Sequence, residues 1–283
     1  MLTRLDHLVI LVRDLDVAAA DYERLGFVVT PGGEHADGLT RNALIPFEDG
    51  SYFELVSFLD PEDSRDNVWG WRKFLPHEGL VDYCVASDDL ESDIMRLESL
   101  GFDVKGPGHG GRRLPDGAEI RWRIARIRQE GRLLPFLIED LTTREMRVPG
   151  GPAAEHPNGA SGISLLEIAA PDAEEAAPSL AALAGIPADA GTSIRLGACS
   201  LLPVAAERED AALRLDTRGP GPLAVELVGK RPGSVQAPDP LLLTGPASGF
   251  RRGPQKTKAP GGASRKIFGM TTKRAHGRSN TQS

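Results

Sequence analysis

Cysteine is nearly missing from this chain. Two thiols in 283 residues, Cys84 and Cys199, make no disulfide framework, and a reducing cytoplasm is the expected compartment. No apolar run approaches the roughly 18–20 residues that a membrane-spanning helix needs. The opening "MLTRLDHLVI" has no signal-peptide core and goes straight into a strand. The glycine-rich "GPGHGG" at 106–111 lacks the Lys-Ser/Thr of a phosphate loop and the spacing of a dinucleotide fingerprint. No Ser-His-Asp signature stands out.

Acidic residues are missing after Asp239. Nine Lys and Arg follow that point, so the chain's net charge of −7 hides a body, residues 1–239, at −16. The tail "GPQKTKAPGGASRKIFGMTTKRAHGRSNTQS" is poor in large apolar side chains. It cannot bury enough surface to offset its ordering entropy, so residues 235–283 are expected to be disordered. Its charge permits nonspecific contact with nucleic acid, although a solvated tail without a partner is the simpler reading.

What the chain does contain is a repeat. "LDHLVILVRDLDVAAADYERLGF" begins at Leu5 and "LVDYCVASDDLESDIMRLESLGF" at Leu80, an offset of 75 residues. Each copy reads as a short strand, an Asp-started helix, and a Leu-Gly-Phe stop. In the first, Leu15, Ala18, Tyr22 and Leu25 recur at helical spacing; in the second, Leu90, Ile94, Leu97 and Leu100 do. Strand-like runs follow at 27–30, 39–47 and 52–58, and again at 102–105, 119–127 and 133–139. The expected fold class is α+β, with paired βαβββ modules (about 3–60 and 78–142) in a domain spanning 1–145. A third, degenerate module is expected over 160–232, with "PLAVELVG" echoing "SYFELVS" as its closing strand. Pro178 disturbs that module's helix unless it falls in the first turn. An odd module must pack on the pair or on another chain, so a homodimer is one expectation.

Strand alternation then sorts side chains by face. If the helix covers Leu8, Ile10 and Val12, then His7 faces the other way, and so do Tyr52 and Glu54 on the last strand of the first module. The same reasoning in the second module places Asp82 and Cys84 with Leu137 and Glu139. Ile120, Trp122 and Ile124 read as the covered face of "EIRWRIARI", which sends Arg121 and Arg123 to the open one. His7, Glu54, Asp82 and Glu139 can thus line a cup between two folded sheets. One imidazole and three carboxylates suit a divalent cation such as Zn, Mn, Ni, Co or Mg. Arg121 and Arg123 can instead neutralise the acids without metal, or bind an anionic substrate. Asn42 and Tyr52 are further candidates for lining the cup. His35 and His156 lie in Gly/Pro-rich loops, where functional residues and turn caps both occur. Trp69 and Trp71 are expected to cover the module junction.

The βαβββ repeat, "DHLVI", "YFELV" and "LPFLIED" resemble the vicinal oxygen chelate superfamily. More narrowly, "LDHLVI", "TPGG", "RNALIPFEDGSYFELV", "RWR", "LPFLIED", "RVP" and "HPNG" resemble its glyoxalase-like domain family. That resemblance implies modules paired into a cup, with metal ligands on the first and last strand of each: here His7, Glu54, Asp82 and Glu139. It implies a metal-dependent lyase or isomerase acting on a small oxygenated molecule, with Glu139 as ligand or general base. Asp82 stands where ring-cleaving dioxygenases have a second His, which argues against an iron dioxygenase. The superfamily's bleomycin-resistance branch implies the alternative, a metal-free cup that binds a small molecule.

Overall fold

The computed structural model describes residues 2–114, 117–187 and 191–229, and the backbone of Leu241–Leu243 and Phe250–Arg252. The first half holds β1 (Leu2–Leu11), α1 (Leu15–Arg24), β2 (Thr30–Glu34), β3 (Thr40–Pro46), β4 (Tyr52–Phe58), β5 (Gly79–Ser87), α2 (Leu90–Ser99), β6 (Val104–Arg113), β7 (Glu119–Ile127), β8 (Phe136–Asp140) and the single turn α3 (Arg144–Arg147). Short 3-10 turns lie at Arg72–Phe74 and Gly151–Ala154. The second half holds β9 (Ala160–Ala169), α4 (Ala173–Ala184), β10 (Ile194–Leu196), β11 (Cys199–Val204), α5 (Glu209–Arg218), β12 (Gly221–Gly229), β13 (Leu241–Leu243) and β14 (Phe250–Arg252).

The sequence repeat is a structural repeat. Asp14 caps α1 by accepting from the backbone N–H of Asp16 and Val17, and Asp89 caps α2 by accepting from Ser92. Both helices stop by the same device. Gly26 and Gly101, at φ 84° and 92°, turn the chain in the left-handed region. Phe27 N–H then reaches back to Tyr22 O, and Phe102 N–H to Leu97 O, each at 3.1 Å. The recurrent Leu-Gly-Phe is therefore a helix stop closed by an aromatic ring, and the Phe27 ring packs against Tyr22.

Eight strands form the first sheet in the order β2-β3-β4-β1-β5-β8-β7-β6. Within each module the first and last strands run parallel: β1 with β4, β5 with β8. The two first strands pair antiparallel, with Leu8 opposite Tyr83. The modules are thus related by an approximate two-fold at the centre of the sheet.

Two expected strands differ. The runs read at 27–30 and 102–105 are only the approaches to β2 and β6, which carry on through "TPGGE" and "VKGPGHGGRR". Glycine there permits close approach of a neighbouring side chain. A Cβ on Gly32 would lie 1.9 Å from Asn42 Oδ1, and one on Gly110 would lie 2.1 Å from Trp122 Nε1.

The second sheet runs β10-β11-β9-β12-β13-β14. Here β9 pairs parallel with β11 and antiparallel with β12, as β1 does with β4 and β5. The closing strand of the third module is therefore β11, and "PLAVELVG" (β12) takes the place of a following module's first strand. Helix α4 continues across Pro178 at its sixth position, because Ala176, Ala177, Leu180, Ala181 and Leu183 are buried around it. Strands β13 and β14 extend the sheet into the segment expected to be disordered from 235. The tail after Arg252 lies outside the described residues.

One core joins the two sheets. Leu8, Ile10, Phe53, Leu55, Tyr83, Val85 and Leu137 pack from the first, with α1 and α2, against Ile163, Leu166, Ile168, Leu180 and Val225 from the second half. The opposite face of the first sheet carries a separate cluster built on Val9, Leu11, Val56, Cys84, Phe136 and Ile138. Helix α5 covers the opposite face of the second sheet through Ala211 and Leu215. Among the described residues no helix is long and apolar enough to cross a membrane.

Candidate functional site

The open face of the first sheet bears a cavity of about 160 Å³. Its walls are aromatic: Tyr52, Trp69, Trp71, Trp122 and Phe136. Polar side chains share the lining: His7, Asn42 and Glu54 from β1, β3 and β4, His35 from the single bridge position after β2, Arg112 from β6 and Arg147 from α3.

Glu54 is the centre of the polar group. It is buried, at 6% exposure, and accepts from Asn42 Nδ2 at 2.6 Å. His35 Nε2 lies 3.3 Å from one of its oxygens and His7 Nε2 lies 3.4 Å from the other. Burial alone would raise the pKa of this carboxyl. The His35 hydrogen bond, the charges of His7 and His35, and the Asn42 amide reverse that and hold it at about 2. Glu54 is thus an ionised acceptor.

His7 sits between two carboxylates. Its Nδ1 is 2.7 Å from Asp6 Oδ1, opposite the side that faces Glu54. The ring stacks on Tyr52 with centroids 4.7 Å apart and meets the edge of Phe136 at 5.3 Å. A register break between Leu5 and His7 relaxes strict alternation, so Asp6 reaches the ring from the neighbouring position. Asp6 in turn accepts from Arg147 at 2.9 and 3.1 Å, and pairs with Arg144. Burial acts against the Asp6 charge, but Arg147, His7 and Arg144 hold its carboxyl well below the usual range. Arg147 also donates to Tyr52 OH at 2.8 Å and grips Asp140. Arg112 is buried, donates to the Arg147 carbonyl at 2.6 Å, and leaves its Nε without a partner among the described residues.

Of the sequence candidates, the cavity gathers His7, Glu54, Asn42, Tyr52 and His35. It does not gather the others. On β8 it is Phe136 and Ile138 that face the cup, while Leu137 faces the helices. Glu139 therefore lies on the helix side, paired with Arg123, which also reaches Glu91 on α2. Strand β7 is likewise the reverse of the expectation. Trp122 and Ile124 line the cavity, Ala125 and Ile127 face the helices, and Arg123 and exposed Arg121 stay outside the cup. His156 is a latch. Its Nδ1 accepts from Val28 N–H at 3.0 Å and its Nε2 donates to Pro46 O at 2.8 Å, between Phe27 and Phe47.

Asp82 is on the expected face but not in the cavity. It accepts from Trp71 Nε1 and from its neighbour's backbone N–H, each at 3.0 Å, and faces Arg132 Nε at 3.0 Å. Burial pushes its carboxyl above the usual range despite these partners. Trp71, expected at the module junction, is therefore both a brace for Asp82 and a wall of the cup. Sequence reading also missed Arg112, Arg147, Asp6 and Trp122. Asp6 stands inside "DHLVI", Trp122 inside "RWR" and Arg147 inside "RVP", whereas Arg112 stands in no such motif.

The four-ligand arrangement does not fit these residues. The register that sets Glu54 beside Val9 sets Phe136 beside Cys84. About the two-fold, Cys84 is the counterpart of Val9, so Phe136 stands where the second module's carboxylate is expected. Asp82 is taken by Trp71 and Arg132. Among the described residues, the group of possible donors that lie within 4.8 Å of one another is Asp6, His7 and Cys84. That group is also unsuited to a cation. Asp6 already carries two arginines, which take the carboxylate charge that a cation would need.

Comparison with known proteins agrees with this architecture. A sequence profile described as a glyoxalase-like domain matches residues 5–184. The uncharacterized protein YwbC of Bacillus subtilis (strain 168) is 29% identical over 102 residues, which is 35% of this chain and 73% of that protein. A hypothetical protein from Staphylococcus aureus superposes with a TM-score of 0.57 at 15% identity, over 71% of this chain and 86% of its own. Methylmalonyl-CoA epimerase from Mycobacterium tuberculosis gives a TM-score of 0.39 at 28% identity, over 50% of this chain and 90% of its own.

Proposed function

The chain belongs to the glyoxalase-like domain family of the vicinal oxygen chelate superfamily, and from that premise we propose that it binds a small oxygenated ring compound in its cup without a divalent metal. The observation that carries this reading is the cavity's lining, which sets the Tyr, Trp and Phe rings around a buried polar group centred on Glu54. A space of about 160 Å³ is close to one known to hold a benzene ring, roughly 150 Å³. Tyr52, Trp122 and Phe136 offer faces and edges to such a ring. The Arg112 guanidinium, the His35 imidazole and the Glu54 carboxylate, all in the lining, are the polar groups that meet its oxygens and hydroxyls.

The metal-dependent lyase or isomerase reading loses two of its four ligands, to Phe136 and to the braced Asp82. If the protein moves protons, an imidazole is the better carrier. A carboxylate at about 2 is far from the working pH at which a general base is efficient, and Glu139 lies outside the cup. His35 suits this second reading, because it lies at the rim and touches Glu54.

The test is a thermal-shift screen of small phenols and aromatic acids, run with and without EDTA, with metal content measured on the same protein. The expected result is a stabilising ligand whose effect survives EDTA and is lost in Glu54→Gln. Near-stoichiometric Zn, Mn, Ni or Co in wild type, lost in Glu54→Gln, would overturn the metal-free reading.

A further inference from the structure

A second cavity, of about 380 Å³, lies on the other side of Trp69 from the cup. Trp69 and Phe136 line both. Four cations line the second one, Lys105, Arg126, Arg128 and Arg132, against a single carboxylate, Asp82. This imbalance stands out in a body whose overall charge is strongly acidic.

The cations are not arranged to satisfy one another. Lys105 and Arg126 are direct cross-strand partners on β6 and β7, a like-charge pairing that costs stability. Burial lowers the Arg126 pKa, and the charges of Arg132 and Arg128 lower it further. Asp82 is already shared between Arg132 and Trp71. Arg214 stands next to Arg132: the space a Gly221 Cβ would fill is 2.5 Å from Arg214 Nη2 and 3.0 Å from Arg132 Cβ. Arg214 is 1% exposed, and both its Nη atoms lack a hydrogen-bond partner among the described residues. Arg214 does not line the cavity, but its buried charge adds to the positive surroundings of Arg132.

The cavity is also connected. A recess along β6 shares Val68, His109 and Ile124 with the cup, and Lys105 and Arg126 with the basic cavity.

We infer that the basic cavity is a second binding site, for a phosphate group, and that the recess along β6 joins it to the cup so that one ligand can fill both. A dianion suits the excess of cations, and forked guanidinium groups match its oxygens. The joined ligand rests on the cup's being a small-molecule site; the phosphate site does not.

Inorganic phosphate titrated into the full chain by calorimetry at low ionic strength tests this. One saturable site is expected, weakened roughly tenfold or more in Arg126→Gln and in Lys105→Gln, as loss of a charge-assisted bond implies. Lys105 is exposed, so its variant keeps the test valid if Arg126→Gln, which also loses a bond to the Val68 carbonyl, fails to fold. Rising salt should weaken the binding. No saturable binding by wild type up to about 10 mM phosphate overturns the site. So does wild-type affinity in both basic-residue variants. Phenyl phosphate that binds no tighter than inorganic phosphate overturns the joined ligand. Phosphate binding that persists while every cup ligand fails separates this site from the reading of the cup.

Discussion

Arg147 and Asp6, 141 positions apart in the chain, form a two-pronged ion pair beneath the cup, at 2.9 and 3.1 Å. Both are buried, and the pair ties the turn after the second module to the first strand of the first. Removing one partner strands the other charge. Arg147→Met is expected to destabilise the protein by about 3–5 kcal/mol, read as a lower urea midpoint. The double variant Asp6→Asn/Arg147→Met is expected to be less than additive, because the residues act through each other. Additive losses would mean that the pair is not the unit.

Glu54 sets an acid limit. Its carboxyl falls from an ordinary 4.5 to about 2 in the fold. A depressed carboxyl stabilises the folded state above its unfolded pKa, and loses that contribution as pH falls through the folded one. The difference corresponds to roughly 3 kcal/mol, fully present near neutrality and declining between about 4.5 and about 2. The stability gap between wild type and Glu54→Gln should therefore shrink across that window. A gap independent of pH would show that the charge of Glu54 is not what its neighbours stabilise.

Gly32 makes room for the Asn42 side chain. In Gly32→Ala the new methyl would overlap the amide and press on the Asn42 carbonyl, 2.9 Å away. The bond from Asn42 to Glu54 should be lost, with cup-ligand affinity falling while the protein still folds. Asn42→Ala should reproduce the affinity loss, and the two changes together should cost no more than either. Full affinity in Gly32→Ala would show that the amide is not needed.

Glu139 should be silent. It lies on the helix side, with Arg123 and Glu91. Glu139→Gln is expected to leave cup-ligand affinity unchanged, where Glu54→Gln abolishes it. Equal losses in the two variants would restore the second module's carboxylate to the site.

The repeat, the Asp caps, the helix stops and the module pairing were legible because each rests on short-range chemistry. The faces of β1 and β4 were legible too: Leu8, Ile10, Phe53 and Leu55 meet helices, and His7 and Glu54 do not. The faces of β7 and β8 were misread because this cup has apolar walls. Alternation separates Trp122 and Ile124 from Ala125 and Ile127, but both sets are apolar, so it does not say which meets the helices. Strands β2 and β6 read as loops because glycine has low strand propensity. Their glycines answer to Asn42 and Trp122, ten and twelve residues along the chain. Arg112 carried no local signal and Arg147 only its place in "RVP", since what brings both to the cup is their contact with each other across 35 residues of chain.

The second sheet lies against the floor of the first. Strands β1, β4 and β5 therefore have packed protein beneath them and the cup above. A floor clamped in this way has little freedom left to surrender when something lands on it. The cup should close on its guest as a mould and not as a glove, with selectivity drawn from shape and a small entropic penalty on capture.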